Sequence, residues 1–308
     1  MGVGKGFGKT ILFGEHFVVY GLEGIPCALG QTTIARVERA DLIGYELIDN
    51  RPATPSYKET KKGEYSALIS RIIEFMQIKD GVRITLEGDL VCASGVGASA
   101  ACAASIAFAI NDEFKLGWSK EQINRAAFEG ETAGSGTPSG IDNTAAVYGG
   151  LLLFKKNLSG GENLIQVMKI KAPIEIVIGN TGKTSLTKEV VGDVKKLKDE
   201  NPEEIQKVFD KYIILVEDAK KALNDYDLKK IGSLMNENQE LLRKINVSCE
   251  ELETLIDVSL SAGAFGAKLT GTGRGGLMIA LTPGKELQEK VAQAIQAKGF
   301  EAIKTTIG

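Results

Sequence analysis

The residues best suited to chemistry include a glycine-rich stretch that leads into a run of small residues. This stretch extends from Cys92 to Ala101. Gly95 and Gly97 let the backbone approach a ligand closely, so that its N–H groups point at an anion. The small residues that follow predict a helix, and the N-terminus of a helix carries a partial positive charge. The pattern favours a bound phosphate, although a tight turn before an alanine-rich core helix has the same sequence signature.

Two further segments combine glycine with polar side chains. One runs from Thr137 to Asp142, and the other runs from Lys268 to Gly276. The second contains the spacing GxGxxG, but residues 277–281 predict a strand after it, whereas a dinucleotide-binding fingerprint needs a helix there. A protein kinase needs a His-Arg-Asp loop, and the only histidine, His16, is followed by phenylalanine. Neither of these families therefore accounts for the glycines.

The composition limits the remaining function classes. The 308 residues are enough for two medium domains, and the formal net charge is −3. We find no basic stripe with interleaved aromatic residues, which argues against a nucleic-acid partner. We expect neither a signal peptide nor a membrane span, since no apolar run is long enough. The cysteines lack the spacing of a metal site or a disulfide framework, which fits a reducing cytoplasm. They are Cys27, Cys92, Cys102 and Cys249.

Predicted strands and a helix position the glycine-rich loop and the histidine. Residues 82–88 predict a strand that leads to the loop, and residues 99–114 predict the helix after it. The segment Thr10–Tyr20 is apolar and β-prone, but Gly14-Glu15-His16 breaks it. It therefore predicts a strand that is interrupted to expose polar groups.

The remaining elements are predicted from caps, periodicity and turn residues. Ser119 and Gln122 form a capping box, which predicts a helix that ends at Gly134. Residues 51–62 are polar and contain proline, so they predict a surface loop, and residues 145–154 predict a strand. Further helices are predicted at about residues 186–198, 202–223, 227–244, 250–262 and 286–298, and further strands at 174–180, 277–281 and 301–306.

Four segments, in this order, resemble the motifs of the GHMP kinase superfamily, and most closely those of the mevalonate kinases within it. Gly8–Gly21, with its Glu-His pair, resembles the opening motif, and Cys92–Ala101 resembles the central ATP-binding motif. Glu131–Gly150 resembles the segment that carries the base and contacts substrate. Lys268–Gly276 resembles the C-terminal motif. The resemblance covers nearly the whole chain.

The chain departs from the family pattern at a few positions near these motifs. Val91-Cys92-Ala93 stands in place of the usual Pro-x-Gly before the central loop, and Ala98 replaces the first of two serines. Arg274 replaces a glycine of the third motif. These departures leave the acid–base residues intact and concern the contacts to phosphate.

The resemblance implies a fold and an activity. The fold would be α+β, with a ribosomal protein S5 domain 2-like N-terminal domain over residues 1–170 and a ferredoxin-like C-terminal domain over residues 171–308. The activity would be the ATP-dependent phosphorylation of mevalonate to 5-phosphomevalonate in isoprenoid biosynthesis. The alternatives are another small-molecule GHMP kinase, for phosphomevalonate, homoserine or a sugar, and a non-catalytic ligand sensor on the same fold. Whether the chain acts alone or as a homodimer stays open.

The resemblance also assigns the residues of phosphoryl transfer. Asp142 would accept the proton of the substrate hydroxyl, and Lys9 beside it would favour the incipient alkoxide and offset phosphate charge. Ser99 and Glu131 would be ligands of Mg²⁺, together with phosphate oxygens. Asp142 and Ser99 could instead only cap helices, Lys9 could be a solvated lysine, and Glu131 could be an exposed side chain.

Two further groups of residues would bind ATP and the substrate. The ATP phosphates would contact the loop residues Ser94, Gly95, Val96, Gly97, Ala98 and Ser99. The substrate would contact Glu15, His16, Thr187, Gly271 and Gly273. His16 could instead be a buried core histidine, Thr187 a hydroxyl at a helix start, and the two glycines simple turn residues.

Overall fold

A computed structural model describes three stretches of the chain, residues 1–93, 95–135 and 138–308. Strands and helices both run through these stretches, as the α+β class requires. The strands are β1 (Gly2–Phe13), β2 (Glu23–Arg39), β3 (Tyr45–Asp49), β4 (Val82–Gly88), β5 (Leu151–Lys155), β6 (Leu164–Met168), β7 (Ile174–Asn180), β8 (Gly266–Thr270), β9 (Leu277–Leu281) and β10 (Glu301–Ile307). The helices are α1 (Tyr57–Phe75), α2 (Ala98–Glu113), α3 (Lys120–Ser135), α4 (Ile141–Tyr148), α5 (Thr187–Glu200), α6 (Pro202–Asn224), α7 (Leu228–Lys244), α8 (Glu250–Ser261) and α9 (Lys285–Ala297), and a 3₁₀ helix covers His16–Tyr20.

The chain folds into two compact units. The first unit contains residues 1–9 and 28–150, and the second contains residues 10–27 and 151–308. The prediction that two domains meet near residue 170 stays a prediction, because compact units and family domains are different divisions of a chain.

The first unit packs four helices with a small sheet. The strand order is β3-β4-β2, in which β3 is parallel and β2 antiparallel to β4. Helix α2 packs against α1, α3 and α4. The buried face of α2 is rich in alanine, including Ala103 and Ala107. It packs in the same hydrophobic core as Ile69, Ile72 and Ile84. Because alanine is small, neighbouring elements approach α2 closely and fix the place of its first turn.

The second unit contains a sheet with the strand order β10-β7-β9-β8, in which all neighbours are antiparallel. Helices α8 and α9 pack on this sheet, and α6 packs on α5 and α7. Tyr212 of α6 stacks on Phe17 of the 3₁₀ helix, with ring centroids 3.9 Å apart. Its hydroxyl donates to the carbonyl of Glu23 over 2.7 Å. These contacts fix the segment that carries Glu15 and His16.

The strand predicted over residues 145–154 is partly wrong, and the error concerns the helix that carries Asp142. Residues 141–148 form α4, and the strand begins only at Leu151. Gly149 and Gly150 both have positive φ and separate the helix from the strand. A short apolar run fits a buried helix and a buried strand equally well, so periodicity could not distinguish them.

Three smaller predictions also differ from the structure. β1 ends at Phe13, and the residues after Glu15 form the 3₁₀ helix instead of more strand. Helix α1 begins at Tyr57, inside the segment that was predicted to be a loop. Helix α3 continues through Gly134, where an added Cβ would lie 3.1 Å from the carbonyl oxygen of Glu64. That glycine permits close packing of α3 on α1 and does not end the helix. The five helices predicted in the second half of the chain all agree within two residues at each end.

Location and assembly stay predictions. No helix in the described part of the chain is both long and apolar enough to cross a membrane. The cytoplasmic location that the cysteine pattern favours, and the choice between a single chain and a homodimer, both await direct measurement.

Candidate active site

The glycine-rich loop holds Lys9 in place. Gly97 has φ 70° and is the N-cap of α2. An added Cβ at this position would lie only 2.8 Å from Cγ of Lys9, so glycine is needed both for the backbone conformation and for this close approach. The backbone N–H of Lys9 donates to the carbonyl of Val96 over 2.8 Å. The loop and Lys9 therefore form one local structure.

The first turn of α2 leaves backbone donors for a ligand. The N-cap, Gly97, has no side chain that could bond to these donors. The N–H of Ala101 donates to the carbonyl of Gly97 over 2.9 Å. The N–H groups of residues 98–100 precede that bond and have no partner within the helix. A cavity of about 240 Å³ adjoins them, lined in part by Gly95, Gly97, Ala98, Ser99, Glu131 and Asp142. Ser94, which was predicted with this loop, lies outside the described residues.

Lys9 and Asp142 form an ion pair at this cavity. Lys9 Nζ lies 3.2 Å from Asp142 Oδ1, and the side chains are 8% and 38% exposed. Asp142 is in the first turn of α4, where the helix dipole stabilises a negative charge. The hydroxyl of Thr144 donates to the carbonyl of Gly140 over 2.6 Å, which fixes the start of α4 without using the carboxylate. The carboxylate of Asp142 thus faces a cavity with a buried ammonium beside it.

Ser99 and Glu131 present two oxygen donors at the same cavity. The hydroxyl of Ser99 donates to Oε1 of Glu131 over 2.5 Å. Burial raises the pKa of Glu131 to about 7, and the hydrogen bond from Ser99 opposes this rise. The charge of Asp142 raises the pKa further, and that of Lys9 lowers it.

This donor set fits Mg²⁺. Hydroxyl and carboxylate oxygens are hard ligands, and a cation would favour the ionised form of a carboxylate whose pKa burial has raised. The described residues contain no group of three or more His, Cys, Asp or Glu side chains that could hold a metal ion. Magnesium commonly takes one or two protein ligands and completes its octahedron with phosphate and water.

In the second unit, Glu15 forms a buried ion pair with Lys268. Its Oε1 contacts Lys268 Nζ, and both side chains are fully buried. The ammonium also donates to the carbonyl of Leu269 over 2.7 Å. Burial lowers the pKa of Lys268, while the charge of Glu15 opposes that change. Glu15 therefore has a structural partner that holds the segment leading into His16.

Thr272 connects two of the predicted substrate residues. Nε2 of His16 donates to the carbonyl of Thr272 over 2.7 Å, since a carbonyl can only accept. The hydroxyls of Thr187 and Thr272 lie 2.8 Å apart. Burial lowers the pKa of His16, which favours the neutral imidazole at pH 7. In that form its Nδ1 is an acceptor, so this cluster offers both a nitrogen acceptor and hydroxyl groups.

Gly271 and Gly273 belong to the turn between β8 and β9. Gly273 has φ 80°, and an added Cβ would lie 2.1 Å from the carbonyl oxygen of Val247. The hydroxyl of Ser185 donates to the carbonyl of Gly273 over 2.6 Å. At Gly271 an added Cβ would meet no atom within 4 Å. The close packing of this turn therefore depends on Gly273.

Several of the predicted residues contact each other within one compact unit. Lys9 pairs with Asp142 and Ser99 pairs with Glu131. Two participants were not predicted, Lys268 and Thr272. Lys268 opens the segment that resembles the C-terminal motif, but its flanking residues Ala267 and Leu269 do not distinguish a buried lysine from an exposed one. The contacts of Thr272 span more than 80 residues of sequence and have no local signature.

Similarity to known proteins extends along the whole chain. The family models described as GHMP kinases N terminal domain and GHMP kinases C terminal match residues 67–150 and 219–301. The mevalonate kinase of Thermococcus sibiricus is 34% identical over 321 residues, covering 97% of this chain and 94% of that protein. The mevalonate kinase of Pyrococcus abyssi is also 34% identical, with 97% and 93% covered. The crystal structure of L. major mevalonate kinase in complex with R-mevalonate has a TM-score of 0.95 and 35% identity, covering 100% of this chain and 96% of that one.

Proposed function

We propose, from the premise that this chain belongs to the GHMP kinase family, that it transfers the terminal phosphoryl group of ATP to mevalonate and forms 5-phosphomevalonate. The observation that carries the proposal is the similarity to mevalonate kinases over 97% of the chain. The geometry around Lys9 and Asp142 supports it with the groups that phosphoryl transfer needs. Family membership also confirms the predicted GHMP kinase fold.

Asp142 receives the proton of the attacking hydroxyl. The substrate oxygen forms a bond to the terminal phosphorus of ATP, the bond from that phosphorus to the oxygen of ADP breaks, and the hydroxyl proton passes to the carboxylate. The Lys9 ammonium, 3.2 Å from Asp142 Oδ1, stabilises the negative charge that develops on the oxygens. A carboxylate that is 38% exposed is accessible to a substrate.

The first turn of α2 binds the phosphates. Its backbone N–H groups and the positive end of the helix favour an anion, and the adjoining cavity gives the phosphates room. Ser99 and Glu131 would hold Mg²⁺, which when bound neutralises phosphate charge.

The cluster around Thr272 binds the polar end of mevalonate. Mevalonate carries a carboxylate and a tertiary hydroxyl besides the hydroxyl that is phosphorylated. The neutral His16 offers an acceptor to that tertiary hydroxyl, and the hydroxyl of Thr187 offers a donor to the carboxylate. Glu15 acts indirectly, because its ion pair with Lys268 fixes the backbone that leads into His16.

A panel of acceptors tests the substrate assignment. With Mg·ATP, the purified chain should show a kcat/KM for mevalonate at least about tenfold above those for phosphomevalonate, homoserine and galactose, because a site built to hydrogen-bond one substrate discriminates against others. ADP release in a coupled assay gives the values. Preference for another acceptor would make the chain a different GHMP kinase. Nucleotide binding without turnover of any acceptor would identify a ligand sensor.

A magnesium titration tests the metal ligands. Glu131→Gln and Ser99→Ala should each raise the Mg²⁺ concentration needed for half-maximal activity by about tenfold or more, because each removes an oxygen donor. Binding of free mevalonate, measured by calorimetry, should change little. Glu129→Gln is the matched control, since Glu129 lies on the same helix and pairs with Arg71. Unchanged metal dependence in both site variants would mean that other groups hold the ion.

A further inference from the structure

The turn between β8 and β9 carries an arginine where the resemblance predicts a glycine. Arg274 has φ 51°, a backbone conformation that few residues with a side chain adopt. Its Nη1 forms an ion pair with Asp193 of α5, and its Nε donates to the carbonyl of Asn246 over 3.0 Å. We propose that the Arg274–Asp193 ion pair is a positioning device that holds the turn and α5 in the arrangement that binds the substrate.

The turn is the element that organises the substrate cluster. Thr272 lies two residues before Arg274, and it contacts His16 through its carbonyl and Thr187 through its hydroxyl. The backbone N–H of Arg274 donates to the carbonyl of Val247 over 2.7 Å. The arginine therefore fixes the turn through its backbone, and its side chain extends the connection to α5.

Helix α5 needs such a connection because little of it is buried. Its buried residues are Val190 and Val194, and the rest of the helix faces solvent or is half-buried. Thr187 is the first residue of this helix, and Asp193 lies six positions later. An ion pair from Asp193 to the turn therefore restrains the same helix that presents Thr187 to Thr272. Elements with few buried contacts are the ones that open most easily, so a single restraint matters here.

The charge of Arg274 also acts on His16. It lowers the pKa of that imidazole, in the same direction as burial, while the hydrogen bond to Thr272 raises it. Glu15, which directly precedes His16, is paired with Lys268. Arg274 thus helps to keep His16 neutral, with Nδ1 as an acceptor.

Three variants separate this role from general stability. Arg274→Asn removes the guanidinium, and asparagine tolerates the left-handed conformation better than most residues, so the backbone strain stays small. Asp193→Asn breaks the same ion pair from α5. Glu289→Gln is the matched control, because it breaks an exposed ion pair with Lys304 in the same unit.

We expect Arg274→Asn and Asp193→Asn each to raise the KM for mevalonate about fivefold, the scale of one partly exposed ion pair. The KM for ATP and kcat should change by less than about twofold, and Glu289→Gln should match the wild type. The double variant should be no worse than either single variant, because both remove one interaction. Arg274→Lys should restore part of the affinity, since it keeps the charge.

A second measurement does not depend on the proposed substrate. His16 is the only histidine of the chain, so its imidazole resonance in NMR spectra is assigned without ambiguity. Arg274→Asn should raise the pKa of His16, and both ion-pair variants should shift its resonances while Glu289→Gln does not. Unchanged KM and unchanged resonances in both variants would overturn the proposal. Wild-type inactivity on mevalonate with shifted resonances would overturn the substrate assignment and keep the positioning device.

Discussion

Replacing Asp142 with asparagine is expected to lower kcat by about 10² or more, the scale of a lost general base. Asparagine is nearly isosteric with aspartate, but its amide cannot accept the hydroxyl proton. The start of α4 should persist, because Thr144 bonds to the carbonyl of Gly140 and the amide of Asn143 donates to Oδ1 of Asn124 over 2.8 Å. The melting temperature and ATP affinity should therefore stay close to those of the wild type. A coupled assay for kcat, with thermal denaturation beside it, makes the measurement.

Lys9→Met provides the second arm of this test. It should also lower kcat strongly, because it removes the ammonium that lies 3.2 Å from Asp142. The double variant should lose much less than the product of the two single effects, since both groups act on one proton transfer. Asp80→Asn serves as the control, because Asp80 pairs with Arg39 in the same unit and is half-exposed. Near-normal turnover in a folded Asp142→Asn protein would mean that Asp142 is structural.

The proposed acid–base pair, Lys9 and Asp142, and the proposed metal pair, Ser99 and Glu131, were identified through resemblance to family motifs. Position 97 requires glycine, because its φ is 70° and Lys9 lies against it. The small residues after it form α2, as predicted. The same loop places Ser99 in the first turn of that helix. Glu131 and Asp142 were found by resemblance to family motifs, and the structure then supplied the distances. Their catalytic and metal-binding roles stay predictions until the variants are measured.

The parts that sequence reasoning missed depend on contacts between distant residues. The partners Glu15 and Lys268 are 253 positions apart, and nothing near either residue indicates the other. Thr272 looks like a turn residue until the structure shows that its carbonyl accepts from His16. The helical state of residues 145–148 was missed for a related reason. An apolar run of this length takes its conformation from the flanking glycines and the surrounding core, which periodicity alone does not report.

Replacing Lys268 with methionine is expected to lower the free energy of unfolding by about 3–5 kcal/mol, the cost of removing one partner from a buried ion pair. Methionine fills a similar volume, so a cavity contributes little. The carboxylate of Glu15 would lose the ammonium of Lys268 in a place that water does not reach, because both side chains are fully buried. Urea denaturation, monitored by circular dichroism, gives the free energy of unfolding. Lys304→Met, which breaks an exposed ion pair with Glu289, should change it by less than about 1 kcal/mol.

The double variant Glu15→Gln/Lys268→Met distinguishes a lost charge pair from damaged packing. The double variant also removes the carboxylate that Lys268→Met leaves without its ammonium, so it should regain most of the stability that Lys268→Met loses. Poor recovery would mean that the Lys268 side chain matters for its packing or for its bond to the carbonyl of Leu269. The double variant should still bind mevalonate weakly. Its glutamine at position 15 cannot form the ion pair that fixes the segment before His16. Recovery of stability without recovery of the KM for mevalonate would therefore assign Glu15 and Lys268 to positioning the substrate cluster.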